Sequence, residues 1–312
     1  MTTPIQFTFL ESTSWQDYAL LDSGDGLKLE RFGNYVFVRP ESQAMWKPAL
    51  EAEWKQAHAV FQPTGEESGG HWDFKKKVEE KWEMNYPLRF DYASGSAQRE
   101  DALKFWAMTT PGRHLGVFPE VAAHWDWLGH LTFQGVHGRD GEVNVLNLFG
   151  YTGLATLAAA AAGAKVTHVD ASKKSVSWAR DNQALSGLTD APVRWIVDDA
   201  LKFVQREARR GVKYDGIILD PPKFGRGPKG EVWEVYKSLP DLFAACRECL
   251  SRDPLFVVTT LYAVRASAIH VAQAMADMMK GFDGKIEMGE LVTREQSAGR
   301  LFSQAVYARW AK

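Results

Sequence analysis

An α/β fold with a mainly parallel sheet, preceded by a smaller and mostly β part, is predicted for this chain of 312 residues. Three observations predict it. From residue 143 onward, short apolar runs rich in β-branched residues alternate with helix-length segments. Such alternation builds β-α-β units, whose crossovers force the strands to lie parallel. The runs are apolar throughout, as strands covered on both faces require. Before about residue 112 the rhythm is different, with short strand-like pieces set between glycine-bearing turns. The expected division is residues 1–112, mostly β and concerned with substrate recognition, and residues 113–312.

In the second part "VNVLNLF" is the first strand, and "GYTG" opens "LATLAAAAAG", strong helix formers that end at Gly163. "KVTHVD" is the second strand. "ASKKSVSWARDNQALSG" has helical spacing, with Val176, Ala179, Gln183 and Ala184 on or beside one stripe and Gly187 past its end. "VRWIVDD" is a strand, and "ALKFVQREARRG" a helix with basic residues in its last turn, where they complement the dipole. "YDGIILD" is the fourth strand. The helix in "EVYKSLPDLFAACRECL" is expected to break or restart near Pro240. "PLFVVTT" is a strand, "ASAIHVAQAMADMMKG" a helix, and "KIEMGELV" and "SQAVYARW" close the sheet as its sixth and seventh strands. In the first part, "YALLD", "LKLERFG", "NYVFVRP", "LRFDYAS" and "KFWAMTT" read as strands, "PALEAEWKQAHAVF" as helical, and "QPTGEESGGH" as the clearest loop. Eight tryptophans fall by residue 127, either as a platform for stacking bases or, the simpler reading, as core and interface filling.

Hydrophobic residues make up 45% and charged residues 24% of the chain, ordinary for a globular protein. No run of 18 apolar residues exists, which predicts no membrane span. The N-terminal segment lacks a basic stretch followed by an apolar core, so no signal peptide is expected. Cys246 and Cys249, with no second Cys or His pair nearby, read as packed free thiols rather than a zinc site. No metal is expected, and a reducing cytoplasm fits. A net charge of -2 excludes a general nucleic-acid coat. Any positive surface must be local: "FKKK" (74–77), "REARR" (206–210), or the set Lys223, Arg226 and Lys229. "REARR" reads as a solvated face.

Ligands of a doubly wound sheet bind at the carboxyl ends of its strands, where strand order reverses. The first strand runs into Phe149, Gly150, Tyr151, Thr152 and Gly153, a tight turn with the free amides of the next helix behind it. The second strand ends at Asp170, placed to accept from ribose hydroxyls, and the third at Asp199, placed to accept from an adenine amino group. A dinucleotide would call for G-x-G-x-x-G, which "GYTG" does not supply. Taken together, "VLNLFGYTG", "VTHVDASKKSVSWARDN", "VDDALKF" and "YDGIILDPPKFGRG" resemble the class I S-adenosylmethionine methyltransferases, and more closely the large-subunit ribosomal RNA methyltransferases, over about residues 113–262. The resemblance implies a Rossmann-like seven-stranded class I methyltransferase domain with S-adenosylmethionine as cofactor. Its methionine part would lie over Phe149 to Gly153, its ribose on Asp170, and its adenine between Ala171–Ser172 and the Asp199–Ala200 turn. The family's covering segment, G-x-F-x-acid, corresponds here to Gly116, Phe118 and Glu120, with Glu for the usual Asp. Asn147 stands where an acid is frequent.

S-adenosylmethionine carries an activated methyl, so the protein must mainly hold a nucleophile in line with it. A nitrogen nucleophile needs its N–H groups accepted, which Asp220 and a carbonyl of the stiff Pro221–Pro222 pair can do, with Phe224 to stack the base. Relatives that methylate carbon 5 of cytosine carry a cysteine after the fifth strand, where this chain reads Thr259, Thr260, Leu261 and Tyr262. The expected substrate is therefore a base nitrogen of RNA, ribosomal by resemblance, with Lys223, Arg226 and Lys229 on its phosphates. Two alternatives differ in class: the same chemistry on a protein or small molecule, and a cofactor-binding protein without turnover.

Overall fold

The computed structural model describes residues 6–64, 69–88, 101–139, 141–262 and 264–312. The expected loop at 62–71 lies partly outside the described residues, and the strand expected at 88–94 almost wholly so.

The first part holds β1 (Gln6–Glu11), β2 (Tyr18–Gly24), β3 (Leu27–Phe32), β4 (Tyr35–Pro40), α1 (Glu51–Trp54), β5 (Ala59–Pro63), β6 (Gly70–Phe74), β7 (Trp82–Leu88) and β8 (Asp101–Ala107). Strands β2 to β6 form one sheet in chain order, and β7 pairs with β8 as a separate hairpin. The helix expected across 48–61 is only the four residues of α1, because Ala59–Pro63 leaves it to pair with β4 and β6. A 3₁₀ turn, Pro119–Val121, leads into α2 (Ala122–Gly138).

The second part continues with β9 (Asn144–Leu148), α3 (Leu154–Ala161), β10 (Lys165–Asp170), α4 (Lys173–Leu185), β11 (Val193–Val197), α5 (Ala200–Arg210), β12 (Gly216–Leu219), β13 (Phe224–Arg226), β14 (Val232–Glu234), α6 (Val235–Cys249), β15 (Phe256–Leu261), α7 (Ala268–Met278), β16 (Lys285–Arg294) and β17 (Leu301–Ala311). The seven strands expected here all join one sheet, ordered β16-β17-β15-β12-β9-β10-β11, with β1 added as an eighth beside β16. Only β17 runs antiparallel to its neighbours. Chain order reverses between β9 and β12, which sets the switch point at the ends of those two strands.

Local chemistry explains the helices. Ser172 caps α4 by accepting from Ser175 N (3.1 Å), and Asp199 caps α5 by accepting from Lys202 N (2.8 Å). Each cap contributes about 1 kcal/mol. Gly211 ends α5 in the left-handed conformation. Two sequence readings need correction. Helix α6 runs unbroken through Pro240, its sixth residue. Ala184 of α4 faces outward, and Asn182 takes a buried place instead.

The core crosses the expected boundary at residue 112, since Phe37, Tyr86 and Phe105 share one apolar cluster with Trp125, Leu128 and Val145. The early tryptophans fill core and junctions. Trp82 and Trp125 are buried in this cluster, and Trp15, Trp72 and Trp127 pack against it. Trp46 meets Phe302, Trp54 donates to Asp22, and Trp106 lies beneath Lys81. Both cysteines are buried thiols on α6, as expected.

Inside the N-terminal sheet, Arg39 makes a two-pronged ion pair with Glu30 (2.7 and 2.8 Å), which also accepts from Tyr18 (2.9 Å). Burial by itself would raise the Glu30 carboxyl, but the Arg39 and Lys28 charges win and hold it at about 2. Its contribution is thus present above the ordinary carboxylate range and is lost as pH falls through about 2. Glu30→Ala leaves Arg39 buried without its partner, and urea denaturation is expected to show a loss of about 3–5 kcal/mol.

Candidate active site

The turn after β9 is backbone under strain. Phe149 (φ 61°), Tyr151 (φ 49°) and Gly153 (φ 84°) all lie in the left-handed region. Non-glycine residues held there cost on the order of 1–3 kcal/mol each and cluster at functional sites. Asp170, at the end of β10, braces this turn: its two oxygens accept from Tyr151 N (2.9 Å) and Ser172 N (2.8 Å). Burial raises its pKa, with these two N–H groups opposing. A carboxylate has about four acceptor positions, so Asp170 keeps capacity for further donors.

The glycines serve packing more than ligand approach. At Gly150 a side chain would strike the His168 ring, and at Gly153 it would meet Ala179 at 2.8 Å. Asn147 donates to Thr156 Oγ1 (2.9 Å), which contacts His168 Nδ1 (2.9 Å), and burial lowers the His168 pKa to about 3, so the ring is neutral. Thr152, which also lines the space at the strand ends, donates its hydroxyl to Gly116 O (2.7 Å). Gly116 (φ 93°) is itself pressed on the Trp178 ring. The turn and the covering segment are therefore tied together. Asn182, which no sequence expectation named, ties the turn to β8 by donating to Thr152 O (2.9 Å) and accepting from Trp106 N (2.9 Å). Its only sequence signal is a polar residue at an inward position of α4.

Asp220 ends β12 beside this turn. Its Oδ1 is buried and has no hydrogen-bond partner. Burial first, and then the Glu120 charge, push its pKa up to about 8. Asp220, Phe118, Asn147, Phe149, Tyr151 and Thr260 line one crevice at the carboxyl ends of the strands. The Phe118 ring lies over it, 5.7 Å from Tyr151 and 5.1 Å from Tyr262. His124 also lines the crevice, and neither of its buried ring nitrogens has a partner. Tyr262 and His124 escaped sequence reasoning because neither belongs to a motif.

The remaining expected site residues stand further out. Pro221 is buried, whereas the Pro222 carbonyl accepts from Trp233 Nε1 (2.6 Å). Phe224 is half exposed on the β13–β14 hairpin, with Lys223 Nζ over its ring at 5.2 Å, and does not line the crevice. Arg226 and Lys229 are exposed on the same hairpin. Ala171 is half-buried and Ala200 buried, next to the capping residues Ser172 and Asp199. In "REARR", Arg206 pairs with Asp198 and Arg210 with Glu207, and Arg209 and Arg210 are exposed. Among the described residues no three His, Cys, Asp or Glu side chains gather as metal ligands, and no helix is long and apolar enough to cross a membrane.

The family model described as S-adenosylmethionine-dependent methyltransferase matches residues 123–268. A crystal structure of an S-adenosylmethionine-dependent methyltransferase from Agrobacterium tumefaciens is 44% identical, spans 100% of this chain and 96% of its own, and superposes with a TM-score of 0.87. The chain belongs to the S-adenosylmethionine-dependent methyltransferases. A second solved structure, of an assigned methyltransferase holding S-adenosylhomocysteine, is 17% identical over 96% of this chain and 76% of its own, with a TM-score of 0.65, and shares the fold. Among curated proteins, ribosomal RNA large subunit methyltransferase K/L of Shewanella frigidimarina is 38% identical over 110 residues. That match takes in 35% of this chain and only 15% of the relative.

S-adenosylmethionine is the cofactor of this methyltransferase family, and the residues present fit it. The unpartnered Asp220 Oδ1, the two strained residues of the β9 turn and the spare capacity of Asp170 meet at one strand edge. Exposed backbone, acceptors and a covering aromatic are what a cationic nucleoside with an amino-acid tail requires.

Proposed function

We propose that this methyltransferase acts on a base nitrogen of RNA, with ribosomal RNA as the substrate class, in the cytoplasm. The observation that carries the reading is Asp220: a buried carboxyl oxygen without a partner, followed by Pro221, at the switch point of the sheet. When bound, the cofactor supplies a methyl made electrophilic by its sulfonium. The methionine part is assigned to Phe149–Gly153 under Phe118, the ribose to Asp170, and the adenine to Ala171–Ser172 and Asp199–Ala200. Asp199 spends one oxygen on its helix cap and offers the other.

Asp220, ionised, accepts one N–H of the target and the Pro221 carbonyl a second. That frees the nitrogen lone pair for in-line attack, and Asp220 takes up the proton the nitrogen then sheds. Phe224, Lys223, Arg226 and Lys229 form an exposed aromatic and basic hairpin suited to the flanking nucleotides, where stacking contributes about 1–3 kcal/mol per base. Carbon-5 chemistry lacks its nucleophile. Cys249 Sγ points at Val204 O beneath α5, and burial raises both thiols.

Transfer of tritiated methyl groups to ribosomal RNA from a strain lacking the gene is the direct test. Label that survives ribonuclease would count against the RNA reading. The double variant Cys246→Ala, Cys249→Ala is expected to keep its transfer rate. A loss of transfer with the fold intact by circular dichroism would bring cysteine chemistry back.

A further inference from the structure

Among the described residues that line the crevice at the strand ends, two side chains hold buried polar atoms without a partner. One is Asp220, through Oδ1, and the other is His124, through both ring nitrogens. Asp220 has a part in the reaction proposed above. His124 has none, although its residue is only 2% exposed. An imidazole kept dry with neither nitrogen bonded costs stability, because it gives up its hydrogen bonds to water and gains none. Such a group facing a crevice calls for a ligand that completes it.

Its placement points to the cofactor. Phe118 and Phe149–Thr152, to which the methionine part is assigned, line the same crevice as His124. His124 is the third residue of α2, whose N-terminus has no side-chain cap. Its ring meets Tyr307 of β17 edge-on, at 5.2 Å. Burial and then the Arg309 charge hold its pKa well below the usual imidazole value. The ring is therefore neutral, with one N–H to donate and one nitrogen to accept.

The methionine part ends in an ammonium and a carboxylate. Acceptors for the ammonium are plentiful, since the carboxyl ends of parallel strands present carbonyl oxygens. Donors for the carboxylate are scarce. No lysine or arginine is among the described residues lining the crevice. Arg309, the cation that acts on His124, is held by Glu287 (3.2 and 2.8 Å). The Thr152 hydroxyl is given to Gly116 O, and Asn147 donates to Thr156. The His124 N–H is unspent, and it stands at the positive end of the α2 dipole, where an anion is favoured. Glu120, on the turn ahead of α2, is countered by the Lys28 and Arg39 charges.

We propose that His124 donates its N–H to the carboxylate of the cofactor's methionine part, and so selects ligands with an intact amino-acid tail. The assignment rests on the placement of that part over Phe149–Gly153 and is independent of the RNA reading.

The test is calorimetric titration of the whole chain with two ligands. One is S-adenosylhomocysteine, and the other its decarboxylated analogue, an aminopropyl thioether of adenosine that lacks only the carboxylate. His124→Phe keeps a ring against Tyr307 but has no N–H, and His124→Gln keeps an N–H on a different frame. S-adenosylhomocysteine is expected to bind His124→Phe about tenfold or more weakly than wild type, and His124→Gln in between. The analogue should bind wild type and His124→Phe alike. Ligand-free His124→Phe should unfold at a higher urea concentration than wild type, since no unpartnered nitrogen is then buried. A residue that served only the fold would give the opposite shift. Equal weakening of both ligands by His124→Phe, with a lower urea midpoint, would overturn the assignment. If wild type favours S-adenosylhomocysteine over the analogue and His124→Phe keeps that preference, His124 alone falls. If wild type binds the two equally, the placement of the methionine part falls with it.

Discussion

Asp220→Ala is expected to abolish methyl transfer while leaving cofactor affinity within a few-fold of wild type. The carboxyl ends β12 at the switch point and has an unpartnered oxygen, so it supports little of the fold around it. Its work begins when a target N–H needs an acceptor. Removing a group that acts mainly in the transition state lowers kcat and kcat/KM together.

The pH dependence follows from the same environment. Burial and then Glu120 raise the carboxyl to about 8, and only the ionised form can both accept an N–H and take up the proton the nitrogen sheds. The kcat/KM of wild type should therefore rise through about pH 8, with the kcat profile displaced to lower pH because a sulfonium nearby favours the anion. The stability sign is the reverse. Between the ordinary value of 3.8 and about 8, the folded protein holds a proton that the unfolded chain has lost, so stability falls as pH rises across that window. Asp220→Asn removes both trends. Equilibrium denaturation and initial rates from pH 5 to 9 would check them, and a flat wild-type rate profile would remove Asp220 from the chemistry.

Asp170→Ala is expected to weaken S-adenosylhomocysteine binding by more than about tenfold, as the loss of a charge-assisted acceptor requires. The effect has two sources. The carboxylate is assigned to the ribose hydroxyls, and it also holds Tyr151 N and Ser172 N, which keep the strained β9 turn in shape. The variant should lose stability as well, since the Tyr151 and Ser172 amides are left without their acceptor. Asp170→Asn, which keeps one acceptor oxygen, should be intermediate in both respects. Calorimetric titration separates this residue from Asp220. If both alanine variants lost cofactor binding equally, the division of the site into cofactor and acceptor sides would be wrong.

Much of the fold was legible in the sequence. The strands β9, β10, β12 and β15 are buried along nearly their whole length because both faces are covered, and their helices carry their own caps and glycine stops. Asp170 and Asp220 were readable as acids at or just after the last strand residue, a place defined by chain position alone. Helix α2 was not readable. Its inward positions include His124, Gly129, Thr132 and Gly135, so no apolar stripe marks its buried face. Pro240 misled in the opposite direction: it is the sixth residue of α6, past the free N–H groups of the first turn, yet the helix runs through it.

By itself the sequence determined the alternation of strands and helices, the acids at the strand ends and the absence of a cysteine after the fifth strand, because these depend on residues near one another in the chain. Only the tertiary structure decided that β1 joins β16 as an eighth strand, that Asn182 ties β8 to the turn, and that Thr152 ties the turn to the covering segment. The physical reason is that a period of two or 3.6 says which side of an element is buried but not what buries it. Partners as far apart in the chain as Gln6 and Glu287 are chosen by the packing of the whole core.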